Sequence, residues 1–178
     1  MKKSIFLPVS VIAFAAILLG AVSSGLEGIA QTKAEETRLW HMQTILPEAE
    51  VFTEEEYTGE DENIHSVYKA ENGYVIETAV HGYADEIRML VGVSNKGTVT
   101  GMVVTDLSET FGLGAKALTD HVFLAQFLNT SGEAEINNGV DALTGATVTS
   151  KAIVRSINSA VAYVTGADIE TGASSWGG

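Results

Sequence analysis

Asp141-Ala-Leu-Thr-Gly-Ala-Thr-Val-Thr-Ser150 constrains this chain more than any other stretch, because it sets a cluster of hydroxyls directly before a helix. Thr144, Thr147, Thr149 and Ser150 fall within seven positions around Gly145. Behind them, Lys151 to Val164 carries Ile153, Ile157, Val161 and Val164 at the spacing of one apolar helical face. Hydroxyl oxygens before such a run accept the unpaired amide hydrogens of the first turn, so one reading is a well-capped helix. One or two hydroxyls complete a cap, and four exceed that need. The other reading is a bound phosphate, which suits the free N–H groups and positive dipole end of a helix start. Gly145 would let the backbone come close to it. A Walker loop does not fit, since Lys151 follows the Ser and no Gly-Lys pair occurs. Spacing alone leaves both readings open.

Composition narrows what such a loop could serve. The 178 residues hold one ordinary domain and something small. With no cysteine, the chain cannot ligate an iron–sulfur cluster, attach a c-type haem, form a disulfide or carry a lipidated N-terminal Cys. Any redox role therefore needs a cofactor held by other means. A formal charge of -13 would repel nucleic-acid phosphates and argues against that partner. His41, His65, His81 and His121 are scattered without pairing, so neither a metal site nor a catalytic base is indicated.

The chain divides by pattern into five parts. Residues 1–4 hold Lys2 and Lys3, and 5–22 is an uncharged apolar run interrupted only by Pro8, Ser10 and Gly20. At about 1.5 Å per residue, that run nearly crosses a hydrocarbon core of roughly 30 Å. Ala21-Val22-Ser23 also resembles a cleavage site, but the run exceeds the usual apolar core of a signal peptide, which favours a retained anchor. In either case the lysines stay cytoplasmic and the remainder is exported. Residues 23–63 read as a stalk and acidic linker: Ala34 to Leu46 has helical spacing, and Glu48 to Asn63 has eight acidic residues and no basic one. The folded domain spans 64–168, and 169–178 is a Gly/Ser-rich tail. Within the domain, Glu71-Asn-Gly73 separates two alternating runs as a hairpin turn does. Ile87, Met89, Val91 and Val93, then Thr98 to Val104, continue the alternation. The expected fold is α+β: a single N-terminal transmembrane helix, then a small domain with an antiparallel sheet, one buried face and packed helices.

A second loop motif, Ser108-Glu-Thr-Phe-Gly-Leu-Gly-Ala-Lys116, precedes a helical run from about Thr119 to Leu128. A lone Gly-x-Gly is usually only a turn. Together, though, this loop and Asp141-x-x-Thr144-Gly-Ala-Thr147-x-Thr-Ser resemble the extracytoplasmic FMN-binding domain. That family includes the G subunit of Rnf ion-translocating oxidoreductases and the C subunit of sodium-pumping NADH:quinone oxidoreductases. The resemblance covers roughly Gly73 to Val164, with both motifs in the family's order. It implies FMN joined through a phosphoester to Thr147 by an FMN transferase that uses FAD. It implies further cofactor contacts from Thr144, Gly145, Ala146 and Thr149, and from Glu109, Thr110, Gly112, Leu113 and Gly114. Phe111 stands where the family commonly has proline. No catalytic residue and no metal ligand is expected in this chain.

Chain length favours the G subunit over the longer C subunit. The resemblance thus implies an electron-transfer subunit of a membrane-bound ferredoxin:NAD oxidoreductase that moves ions. Its partners would be the other membrane subunits and the transferase, and its FMN domain would lie outside the cell membrane. Another extracytoplasmic FMN carrier and a membrane-anchored binding module without a redox centre are the competing readings. Asp141 and Lys116 have ordinary roles beside functional ones: an Asx-turn for the first and an exposed cation for the second.

Overall fold

The computed structural model describes residues 31–83, 85–107, 120–131, 134–136, 139–143 and 145–167. The apolar run 5–22, the loop Ser108–Lys116, Thr144 and the tail 169–178 lie outside them. The chain forms two compact units, Met1–Trp40 and His41–Gly178. The described part of the first is helical, within a helix α1 that covers 31–45. Among the described residues, no helix is long and apolar enough to cross a membrane.

The second unit is built on a five-stranded antiparallel meander in chain order. Its strands are β1 (Thr53–Glu55), β2 (Ile64–Lys69), β3 (Gly73–His81), β4 (Glu86–Ser94) and β5 (Val99–Leu107). The Asn72-Gly73 turn joins β2 to β3, with the Ala70 N–H donating to the Gly73 carbonyl at 2.9 Å. After the meander come α2 (His121–Ala125), the short parallel pair β6 (Glu135–Ile136) and β7 (Gly139–Val140), and the long helix α3 (Thr147–Thr165). The α+β expectation for this domain is met.

Both faces of the sheet are buried, which corrects the expectation of one buried face. Ile76 and Val80 of β3 and Ile87, Met89, Val91 and Val93 of β4 meet Ile153, Ile157 and Val161 of α3. On the other face, Tyr68, Val75 and Leu90 meet Met42, Ile45, Leu46 and Ala49 from the end of α1 and the turn after it. The sign of this arrangement is in the strands themselves. Val75-Ile76 and Leu90-Val91 are adjacent apolar pairs, and side chains alternate across a strand, so each pair needs cover on two sides.

Met42–Ala49 thus belong to a buried cluster of the sheet, and β1, within the acidic linker, pairs with β2, Thr53 opposite Lys69. Glu55 and Lys69 make a surface ion pair at 3.3 Å across that edge. The acidic composition of the linker masked the three-residue strand, since charge is what an exposed edge strand carries.

Two devices hold α3 along the first face. At its C-terminal end, Tyr163 meets the rings of Tyr57 and Tyr74 edge-on at centroid distances of 5.9 and 5.8 Å. Burial is the main reason that the Tyr163 hydroxyl titrates above its ordinary value. In the middle, Asn158 clasps Ala134: its amide oxygen accepts from the Ala134 N–H at 2.8 Å, and its amide nitrogen donates to the Ala134 carbonyl at 2.9 Å. Gly166, at φ 66°, ends the helix in the left-handed conformation that glycine adopts without cost.

Candidate functional site

The Thr-Gly-Ala-Thr loop is carried into α3 by three inward anchors. Val140 and Ala146 are buried in the main core, and Leu143 is packed against it. Between and after these anchors, Asp141, Gly145 and Thr147 face solvent. Gly145 has φ 81°, a conformation that a side chain would strain. The Ala146 N–H donates to the Leu143 carbonyl at 2.9 Å, closing a turn around Gly145. A small residue at 146 is needed because its Cβ is already against the core.

Among the described residues, Thr147, Thr149 and Ser150 do not supply the cap of the helix, which corrects that reading for these three. α3 begins at Thr147, four residues earlier than periodicity suggested, and its N-cap Ala146 makes no side-chain capping bond. Instead the hydroxyls separate. Thr147, the first helical residue, is exposed; Thr149 and Ser150 are buried at 1% and 0%. The Ser150 hydroxyl donates to the Ala146 carbonyl at 2.9 Å and accepts from the Leu143 N–H at 3.3 Å. Ser150 therefore ties the first helical turn back to the loop. Ser150→Ala should cost about 1 kcal/mol, the net value of a hydrogen bond, in urea unfolding. An unchanged midpoint would show that the loop does not depend on this bond.

Gln126, which periodicity gave no reason to single out, holds the other end of the loop. Its side-chain oxygen accepts from the Asp141 N–H at 2.9 Å, and its nitrogen donates to the Asp141 carbonyl at 3.4 Å. Gln126 closes α2, whose start is capped by the Asp120 carboxylate accepting from the Val122 and Phe123 N–H groups, both at 3.0 Å. α2 is shorter than the run expected from Thr119 to Leu128, with Phe123 and Phe127 buried beneath it. The loop is thus fixed at Asp141 through its backbone, at Leu143 and Ala146 through the core, and at Ser150 through the helix.

What results is an exposed hydroxyl at the first position of a 19-residue helix whose end lacks a side-chain cap. Such a terminus offers amide hydrogens and a positive dipole end to an anion. These residues fit a phosphate ester on Thr147: the residue is exposed, Gly145 beside it has no side chain, and among the described residues no side chain caps the helix start. Of the other expected contacts, Gly145 and Ala146 lie in this turn, while Thr149 lies on the buried side of the helix. Thr144, Glu109, Thr110, Gly112, Leu113 and Gly114 are outside the described residues. Among the described residues, no cluster of potential metal ligands occurs.

The fold thus places an exposed threonine at the start of the long helix that backs the five-stranded sheet. Residues 82–162 match the FMN-binding domain family. The chain is 34% identical over 176 residues to the G subunit of the ion-translocating oxidoreductase complex of Methanosarcina acetivorans, covering 91% of this chain and 93% of that protein. It therefore belongs to the family of G subunits of ion-translocating oxidoreductase complexes. Over 100 residues it is 36% identical to the G subunit of the Na(+)-translocating ferredoxin:NAD(+) oxidoreductase complex of Acetobacterium woodii, covering 50% of this chain and 47% of that one. The G subunit of the proton-translocating ferredoxin:NAD(+) oxidoreductase complex of Clostridium ljungdahlii is 34% identical over 110 residues, covering 55% and 59%. The alignment with the Acetobacterium protein spans about half of that relative's length.

Proposed function

We propose that this chain is the FMN-carrying electron-transfer subunit of an Rnf-type complex, with FMN esterified to Thr147. The observation that carries this reading is the exposed Thr147 hydroxyl at the uncapped start of α3, within a chain whose residues 82–162 match the FMN-binding domain. The names of the relatives favour the G subunit over the C subunit of a sodium-translocating quinone reductase. FMN supplies one-electron chemistry that a chain without cysteine, and so without iron–sulfur ligands, does not itself offer.

The chain's own work is positioning. In the attachment reaction Thr147 would supply the hydroxyl oxygen that takes the FMN phosphoryl group from FAD, with AMP as the leaving group and the hydroxyl proton passing to the transferase or solvent. Gly145 turns the backbone at φ 81°, and Ser150 and Gln126 tie the loop at either end. Amide hydrogens at the helix start would offset the negative charge of a phosphate held there. Covalent linkage suits a domain held outside the membrane by the 5–22 segment, where a dissociated flavin would be lost. The partners in this reading are the FMN transferase and the membrane subunits that deliver and accept electrons.

The test uses full-length protein in membranes from cells that also express an FMN transferase. On a denaturing gel, a band at this chain's size should show flavin fluorescence, and the purified protein's colour should bleach with reductant and return with oxidant. A colourless chain beside a competent transferase would overturn the flavin reading and leave the non-redox binding module.

A further inference from the structure

The exposed face of α3 carries a pattern that neither the loop motif nor the fold explains. Thr147, Lys151 and Arg155 are spaced four apart, so they line one stripe of the helix. The opposite arc, including Ile153, Ile157 and Val161, is buried against the sheet. Lys151 is exposed, and Arg155 is half-buried with its guanidinium donating to the His81 carbonyl at 3.2 Å. Among the described residues, Lys69 and Arg88 pair with Glu55 and Glu86, whereas neither Lys151 nor Arg155 makes an ion pair. In a chain with 23 acidic and 10 basic residues, two cations thus share one stripe with Thr147 and no acidic partner.

We propose that Lys151 is the cation that receives the phosphate of the Thr147-linked FMN, with Arg155 extending the positive stripe one turn further. This rests on the reading that Thr147 carries the flavin. Residues four apart on a helix have Cβ atoms about 5–6 Å from each other. Side chains on a helix lean toward its N-terminus, so the long Lys151 chain reaches back over Thr147. A phosphodiester on the Thr147 oxygen keeps one negative charge, and an ammonium is a compact partner for it. Arg155 lies about 12 Å along the axis from Thr147, too far for first contact with the phosphorus. Its bond to His81 fixes its charge at that distance from the attachment point. The stripe sets local positive charge against the negative field of the rest of the chain, which would otherwise disfavour an attached anion.

The experiment compares full-length protein flavinylated in cells with the Thr147→Ala variant, using an amine-acylating reagent and mass mapping of each lysine. Lys151 should label at least fivefold more slowly in the flavinylated protein, while Lys96, exposed in the β4–β5 turn, labels equally in both. The phosphorus resonance of the loaded protein should also move in Lys151→Gln and return in Lys151→Arg, a readout that a purely structural lysine would leave alone. Equal labelling of Lys151 with and without flavin, or an unmoved resonance, overturns the pairing. Intact mass keeps the two ideas apart. Flavin present with Lys151 unprotected defeats only this proposal, and flavin absent from the wild-type chain defeats the function on which it rests.

Discussion

Phe127→Ala is expected to lower the stability of the second unit by about 3–5 kcal/mol, the usual cost of emptying a buried aromatic site. Phe127 is fully buried, and it meets Phe123 edge-to-face with centroids 5.4 Å apart. α2 is only five residues long, too short to persist on backbone hydrogen bonds alone, so these rings are what keep it docked. Gln126 stands next to Phe127 and holds both backbone groups of Asp141. The substitution should therefore act on the loop as well as on the core: flavin attachment should slow along with the loss of stability. Urea unfolding followed by circular dichroism gives the first effect, and flavin content per chain gives the second. A loss under about 1 kcal/mol would mean that α2 is held by something other than its aromatic pair.

The second large effect comes from a pair of glycines. Gly92 and Gly101 lie opposite each other in β4 and β5, and the end of α1 rests on them. A Cβ at Gly92 would stand 2.5 Å from the Ile45 carbonyl oxygen and 2.7 Å from the Thr100 hydroxyl; at Gly101 it would be 2.8 Å from the Ile45 Cα. The Thr100 hydroxyl donates to the same Ile45 carbonyl at 2.6 Å, so the helix end is both seated and bonded. In an open strand, Gly→Val improves packing and β-propensity. Here Gly92→Val should lower stability by about 3 kcal/mol, the upper part of the overpacking range, because backbone must move. It should also expose Met42, Ile45 and Leu46, which a hydrophobic dye would report. A neutral or stabilised variant would contradict the packing of Ile45 on these glycines.

These two sites show where sequence reasoning reached and where it stopped. The meander was legible from alternation in β3 and β4 and from the Asn72-Gly73 turn, because a period of two is imposed by the strand backbone itself. The second buried face was not, although Val75-Ile76 and Leu90-Val91 pointed to it. Its cover comes from Met42, Ile45 and Leu46, whose helical spacing was visible but whose partner is distant in sequence. Gly92 and Gly101 could be read only once that partner was in place. At the site, the importance of Thr147 and Gly145 could be argued from spacing and resemblance. The roles of Ser150 and Gln126 could not. A serine in a hydroxyl cluster looks like one more cap, and a glutamine on a short helix looks like surface, until hydrogen bonds show each holding the loop from one side.

The central claim is that Thr147, and no other hydroxyl of the cluster, bears the flavin. Peptide mass mapping of full-length protein co-expressed with an FMN transferase tests it most directly, with Thr147→Ala in parallel. The account predicts one added FMN, less water, on the peptide that contains Thr147, and none anywhere in the variant. Flavin that persists in Thr147→Ala, or that maps to buried Thr149 or Ser150, would contradict it.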